Sequence, residues 1–251
     1  MQTYGLIGMP LGHSFSAKYF SEKFGREGID AQYLNFEMAD PAVGVPDLLE
    51  RHKDLRGFNV TIPHKQAIIP LLSEMSEEAR AIGAVNVVSV CRRPAGEVVL
   101  KGYNSDVIGF TASIRPLLKP CHRKALVLGT GGASLAVVYG LRSLGIEPVY
   151  VSRTPSAGRL TYGDLSPELM AEHLVVVNCS PVGMYPRVEA APAIPYEALT
   201  ANHLLYDLVY NPLATAFMRR GAEHGAVVKN GLEMLHLQAE AAWEFWQNDL
   251  K

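Results

Sequence analysis

The stretch KALVLGTGGASLAVVYGLRSLGIEPVYVSR, residues 124–153, decides the fold. Its apolar run at 125–128 passes directly into Gly129, Gly131 and Gly132, a longer apolar-periodic segment follows to Leu144, Gly145 stops it, and a second apolar run ends at Ser152. Short apolar runs bounded by glycine read as buried strands. The longer periodic segment between them reads as a helix with glycine as its stop. The stretch is therefore one βαβ unit, the building block of a parallel, doubly wound sheet.

The turn inside this unit has a chemical reading. In LGTGGAS the strand meets Gly129 and Gly131 at once, which permits a tight turn and brings a pyrophosphate close to the backbone N–H groups opening the next helix. Thr130, Gly132 and Ala133 complete the loop, and Ser134 takes the third position of the usual G-x-G-x-x-G spacing. Placed between a strand and a helix, the turn favours dinucleotide binding over an ordinary βα connection. The end of the second strand then selects the cofactor, because a carboxylate there suits a ribose hydroxyl and an arginine suits a 2′-phosphate. It reads Ser152, Arg153, Thr154, with no carboxylate, which points to NADP(H). Arg153 also has the plain reading of a solvated surface charge.

Outward from this unit, LVVVNCS at 174–180 and LLYDLVY at 204–210 are two more buried-strand candidates. The segment at 231–246 places Leu232, Leu235, Ala239, Ala242 and Trp246 at helical spacing, an amphipathic helix of about four turns. Towards the N-terminus strand and helix also alternate: strands at 3–7, 31–36 and 58–62, helices at 16–27, 41–51, 65–72 and 76–82, and a hairpin from 84 to 104. NSDVIGFTASI, from Asn104, reads as a helix capped by Asn or Ser. The expected division is 1–103 with 231–251 as one α/β domain and 104–230 as the nucleotide-binding domain.

Composition narrows the function class. At 251 residues and 48% hydrophobic content, the chain suits two moderate domains. Its 23 basic and 25 acidic residues nearly cancel without a basic block, so charge points to neither nucleic acid nor an anionic membrane, and a small-molecule partner is expected. No stretch approaches the roughly 18 apolar residues of a membrane span, and the N-terminus lacks the pattern of an export signal. Cys91, Cys121 and Cys179 are odd in number and lack CxxC spacing, which speaks against a disulfide framework or a zinc site. A cytoplasmic protein with reduced thiols and no metal is the expectation.

A second site reading comes from GFNVTIPHKQ at 57–66, where Pro63 ends a strand and Lys65 falls in the first turn of the expected helix, a position unfavourable for a cation. Asn59, Thr61, Asn86, Asn104 and Asp106 stand at or near ends of elements, where α/β proteins assemble sites. A lysine beside an aspartate can hold a substrate hydroxyl and take its proton as a hydride leaves for a nicotinamide. Spacing leaves both residues a plainer role: Lys65 as an exposed lysine, Asp106 as part of a helix cap.

In order along the chain, YGLIGMPLGHSFS, GFNVTIPHK, IGAVNVV, KGYNSDVIGF, VLGTGGAS, VSRT, VNCSPVGM, YDLVYNPLAT and NGLEMLHLQA together resemble the shikimate dehydrogenase family almost from end to end. The resemblance implies two α/β domains with a cleft between them: an N-terminal substrate domain and a Rossmann-like NADP domain, the last helix returning to the first. It implies reversible reduction of 3-dehydroshikimate to shikimate with NADPH, by a monomer or homodimer. The residues matching Ser14, Ser16 and Tyr210 hold the substrate carboxylate, and those matching Asn59, Thr61, Lys65, Asn86, Asp106 and Gln238 surround the ring hydroxyls, Lys65 and Asp106 handling the proton. Leu208 and Gly231 match positions beside the nicotinamide, and Glu77 a position sometimes assigned to the cofactor.

The chain departs from the family pattern in HSFSA for HSxSP, in NSD for NTD, and after Arg153. There PSAGRLTYGDLSPEL is short and turn-rich where a helix with a second basic residue is usual, leaving Arg159 to stand in. A relative acting on quinate or another cyclic hydroxy acid, and a module that senses such a metabolite without converting it, are the alternatives.

Overall fold

In the computed structural model, which describes residues 1–12, 15–94 and 96–249, the chain divides into two units: Met1–Ser105 with Ala239–Lys251, and Asp106–Gln238. The second break falls inside the last helix, so residues 231–238 group with the second unit.

The first unit runs β1 (Gln2–Gly8), α1 (Phe15–Glu27), β2 (Ala31–Glu37), α2 (Pro41–Arg51), β3 (Leu55–Val60), β4 (Glu74–Met75), α3 (Glu77–Ile82), β5 (Val87–Arg92) and β6 (Val98–Tyr103). The strands lie in the order β2-β1-β3-β5-β6-β4. β1 is parallel to β2 and β3, whereas the β5–β6 hairpin enters antiparallel, making the sheet mixed. Ile7, Val45, Leu55, Phe58 and Val88 belong to one apolar cluster of this unit. An aromatic cluster of Tyr4, Phe20, Phe24, Tyr33 and Trp246 forms another. Trp246 is wholly buried and its indole N–H donates to the Val88 carbonyl at 3.0 Å. A Cβ on Gly57 would come within 2.3 Å of that indole, so the strand needs glycine there.

The helix expected at 65–72 does not form. The segment is a string of turns ending in one 3-10 turn at Ile69–Leu71. Backbone bonding explains it: the Lys65 carbonyl accepts the Val85 N–H at 2.8 Å, and the Ile69 N–H turns to Gln66 instead. Pro70 has no N–H to continue an α-helical ladder. Lys65 therefore does not sit at the N-terminus of such a helix, and the penalty expected of that position does not apply.

The second unit runs α4 (Asp106–Ile114), β7 (Lys124–Leu128), α5 (Gly132–Ser143), β8 (Glu147–Ser152), β9 (Arg159–Thr161), α6 (Pro167–Glu172), β10 (Val175–Asn178), β11 (Leu204–Asp207), α7 (Ala216–Glu223), β12 (Val227–Lys229) and the start of α8 (Leu232–Asp249). All pairs in its sheet are parallel, in the order β12-β11-β10-β7-β8-β9. Chain order reverses at β7, which makes the carboxyl ends of β7 and β10 the switch point of a doubly wound sheet. Gly145, with φ +75°, ends the crossover after α5. Past Arg153 the chain forms β9, not a helix. Arg159 opens β9 opposite Tyr150, so the loop has only to drop back two residues along β8.

Candidate active site

The first unit gathers most of the expected substrate residues around the carboxyl ends of β1 and β3. Thr61 and Lys65, both half-buried, follow β3 on one turn-rich segment. The Thr61 N–H donates to the Ile7 carbonyl at 2.9 Å, and the Lys65 carbonyl is held by β5's approach at Val85. His64 between them is buried and joins the Met38 carbonyl through Nε2 at 2.7 Å, tying the segment to the end of β2. This triple anchoring replaces the missing helix as the device that positions Lys65.

Asn59 and Asn86 are buried. Asn59 Oδ1 accepts from the Tyr33 hydroxyl at 2.7 Å, and its Nδ2 donates to the Asn86 carbonyl at 3.2 Å. Asn86 Oδ1 in turn accepts the Ser105 N–H at 2.7 Å. Tyr33, Asn59, Asn86 and Ser105 thus belong to one hydrogen-bonded chain. Ser16 lies in the first turn of α1. Ser14 lies outside the described residues. Tyr33 and Ser105 do not stand out in the sequence: Tyr33 is hidden in the alternation of AQYLNFE, and Ser105 in a cap pattern.

Asp106, Tyr210 and Gln238 fall in the second unit. Asp106 is buried at the first residue of α4, where its charge suits the helix dipole. Burial raises the phenol pKa of Tyr210. Gln238 Nε2 donates to the Leu235 carbonyl at 3.0 Å.

The glycine turn fits a dinucleotide. Gly129 takes φ +108°, and a Cβ there would lie 3.3 Å from the backbone of Cys179 and Ser180. Gly131 is the N-cap of α5 and has open space where a Cβ would be, so the helix start keeps its N–H groups approachable. Ser134 is buried and its hydroxyl donates to the Gly131 carbonyl at 2.6 Å, a small residue serving where a third glycine is usual. Beyond β8, Ser152 donates to the Thr154 carbonyl at 2.5 Å and fixes the turn that exposes Arg153. Arg159 is stacked over the Tyr150 ring at 5.7 Å. Glu77 is exposed, opens α3 behind the Ser76 cap and groups with the first unit.

Leu208 and Gly231 are brought together: a Cβ on Gly231 would meet the Leu208 carbonyl at 2.2 Å. Their loop is shaped by a buried network that sequence reasoning misses. Asp207 accepts from Asn178 Nδ2 at 2.9 Å, the Val209 N–H at 3.0 Å and the Thr215 hydroxyl at 2.6 Å. Burial pushes the Asp207 carboxyl up to about 6 against those three donors. The signal for it lies in VNCS and YDLV, where a polar residue closes each of two apolar runs. Among the described residues no group of three or more His, Cys, Asp or Glu is arranged to hold a metal, no helix is long and apolar enough to cross a membrane, and the cysteines are free thiols.

Comparison with known proteins adds independent findings. Residues 6–88 match the family model described as the shikimate dehydrogenase substrate binding domain. Shikimate dehydrogenase (NADP(+)) of Carboxydothermus hydrogenoformans is 34% identical over 258 residues, covering 96% of this chain and 90% of that protein. The crystal structure of shikimate 5-dehydrogenase from Thermus thermophilus in complex with NADP(H) and shikimate is similar at TM-score 0.83 and 32% identity, covering 99% of this chain and 94% of that one. Quinate dehydrogenase from Corynebacterium glutamicum in complex with NAD is similar at TM-score 0.84 and 27% identity, over 98% of this chain and 94% of that one.

Proposed function

We propose that this chain, which belongs to the shikimate dehydrogenase family, catalyses the reversible NADPH-dependent reduction of 3-dehydroshikimate to shikimate on the route to aromatic amino acids. The observation that carries the reading is the match along almost the whole chain to curated NADP-dependent enzymes. The uncapped glycine turn and the arginine without a carboxylate at the end of β8 support the cofactor.

When bound, the nicotinamide supplies the hydride that adds to the substrate carbonyl carbon. The chain's own residues do the rest. Lys65 Nζ gives a proton to the carbonyl oxygen as it becomes a hydroxyl and takes one back in the reverse direction, with Asp106 as its partner. Ser14, Ser16 and Tyr210 hold the substrate carboxylate through hydroxyl donors, and Asn59, Thr61, Asn86 and Gln238 orient the ring hydroxyls. Gly129 to Ala133 cradle the pyrophosphate, Ser152, Arg153 and Thr154 receive the 2′-phosphate, and Leu208 and Gly231 flank the nicotinamide. Glu77 is kept as an outlying cofactor contact. We place the enzyme in the cytoplasm as a monomer or homodimer, with small molecules and not nucleic acid as its partners.

A second reading, a dehydrogenase acting on quinate with NAD, is favoured by the exposed loop after Arg153 and the stacking of Arg159 on Tyr150. Purified protein is assayed for NADPH oxidation with 3-dehydroshikimate and for reduction of NADP or NAD by shikimate and quinate. Highest kcat/KM for the NADP and shikimate pair is expected; higher efficiency with quinate and NAD would replace the proposal. Binding of shikimate with no turnover would instead make the protein a sensing module, a reading that the presence of both Lys65 and Asp106 disfavours.

A further inference from the structure

We propose that Asn178 is a positioning residue of the cofactor site, its side chain tying the loop beside the glycine turn to the loop that carries Leu208. This rests on the NADP-dependent reading given above, in which the dinucleotide runs from Gly129–Ala133 to Leu208 and Gly231.

Asn178 ends β10 and is wholly buried. Its amide has two N–H groups to give and two lone pairs to fill, and the second unit uses all four. Nδ2 donates to the Val182 carbonyl at 3.2 Å and to Asp207 Oδ1 at 2.9 Å. Oδ1 accepts the Ser180 N–H at 3.1 Å and the Ser180 hydroxyl at 2.6 Å. The orientation is forced, since the Val182 carbonyl can only accept and the Ser180 N–H can only donate. The bonds to Ser180 and Val182 curl the loop after β10, and the bond to Asp207 reaches the end of β11.

Each end of this bridge meets a part of the cofactor site. On one side, Cys179 and Ser180 supply the backbone that crowds Gly129, 3.3 Å from where its Cβ would lie. On the other, Asp207 Oδ1 also takes the Val209 N–H at 3.0 Å, and the Val209 carbonyl takes the Gly231 N–H at 3.2 Å. Leu208 lies between those anchors, its own N–H donating to the Asn178 carbonyl at 3.0 Å. Main chain and side chain of one residue thus fix Leu208 relative to the pyrophosphate turn. None of these bonds involves Ser152, Arg153 or Thr154, which receive the 2′-phosphate. Loss of the bridge should misplace the nicotinamide end and leave the adenosine end held as before.

In single-turnover oxidation of NADPH with saturating 3-dehydroshikimate, Asn178→Ala is expected to slow the reaction at least about tenfold, since a misplacement of about 1 Å costs on the order of 100-fold. The Kd for 2′,5′-ADP, which carries the 2′-phosphate but no nicotinamide, should change less than about twofold. A full rate, or an equal loss of 2′,5′-ADP affinity, would overturn the role. Should Asn178→Ala fold poorly, Asn178→Asp keeps the shape but sets a second carboxylate against Asp207. The two can share one proton as pH falls, which restores a donor between them. The other titratable groups that sense Asp207, the Cys179 thiol and the Tyr196 phenol, are pushed up by burial and stay neutral. The rate of Asn178→Asp relative to the parent is expected to recover at least about threefold between pH 8 and pH 6; a flat ratio rejects the bridge. If the parent binds NADPH but does not oxidise it with 3-dehydroshikimate, the functional reading falls and the ratio of the 2′,5′-ADP Kd to the NADPH Kd decides the role of Asn178. That ratio should shrink in Asn178→Ala, and an unchanged ratio rejects the role. If the parent binds neither nucleotide, both readings fall; if it turns over and Asn178→Ala keeps pace, only this inference does.

Discussion

Lys65 is the residue on which the proposed chemistry turns, and its surroundings say how a substitution should act. Its backbone is fixed by the Val85 N–H and by the buried His64 beside it, neither of which uses the lysine side chain. Lys65→Ala should therefore leave these backbone anchors in place while removing the proposed proton donor. A positioned acid or base contributes about 100-fold or more to rate, so kcat should fall by at least that factor, with shikimate KM moving less than about threefold. A loss confined to KM would assign Lys65 to binding alone. Single polar residues at strand ends, such as Asn59 and Thr61, were legible in the sequence because an apolar run makes them conspicuous. Tyr33 was not: an aromatic residue in an alternating strand reads as core, and its ring is core; only its hydroxyl belongs to the polar chain.

At the scale of elements, the glycine-led helix α5 and its two flanking strands were legible, the helix end to within a residue, because glycine, apolar run and helical period all mark the same boundaries. The stretch 65–72 was not, because apolar spacing carries no record of where backbone carbonyls go. The Val85 N–H, distant in sequence, claims the Lys65 carbonyl and the α-helix is lost. The connection from β8 to β9 gives the element-level prediction. Arg153 stands exposed at the end of β8, while Arg159, opposite Tyr150, is engaged with that ring. Under the proposed function, Arg153 is then expected to carry 2′-phosphate recognition without help from Arg159. Arg153→Ala is expected to raise KM for NADP about tenfold, the scale of a hydrogen bond to a charged group, and to leave NAD use nearly unchanged. Equal losses with both cofactors would contradict the assignment, and an added loss in Arg159→Ala would show that the stack opens to admit the phosphate.

At the scale of the whole molecule, the parallel order of the second sheet followed from its βαβ repeat, but the polar groups that brace the sheet's carboxyl edge did not, since their partners come from separate strands. Asp207 is the measurable case. Its carboxyl is wholly buried and its pKa is raised from 3.8 to about 6, desolvation outweighing donation from Thr215, Val209 and Asn178. The unfolded chain binds a proton there less tightly than the folded one. The stability that the protonated form contributes is therefore complete below about pH 4 and is lost as pH rises through about 6. A rise of that size, already net of the three donors, corresponds to at most about 3 kcal/mol over the whole titration, of which the span from pH 4 to pH 7 covers about 2 kcal/mol. Asp207→Asn keeps an acceptor for the Val209 N–H but does not titrate. Denaturant unfolding between pH 4 and pH 7 should therefore show stability declining with pH by about 2 kcal/mol more in the parent protein than in Asp207→Asn. Parallel curves would mean that the three donors hold the carboxylate as well as water does, and that the polar network at this edge places no pH-dependent strain on the fold.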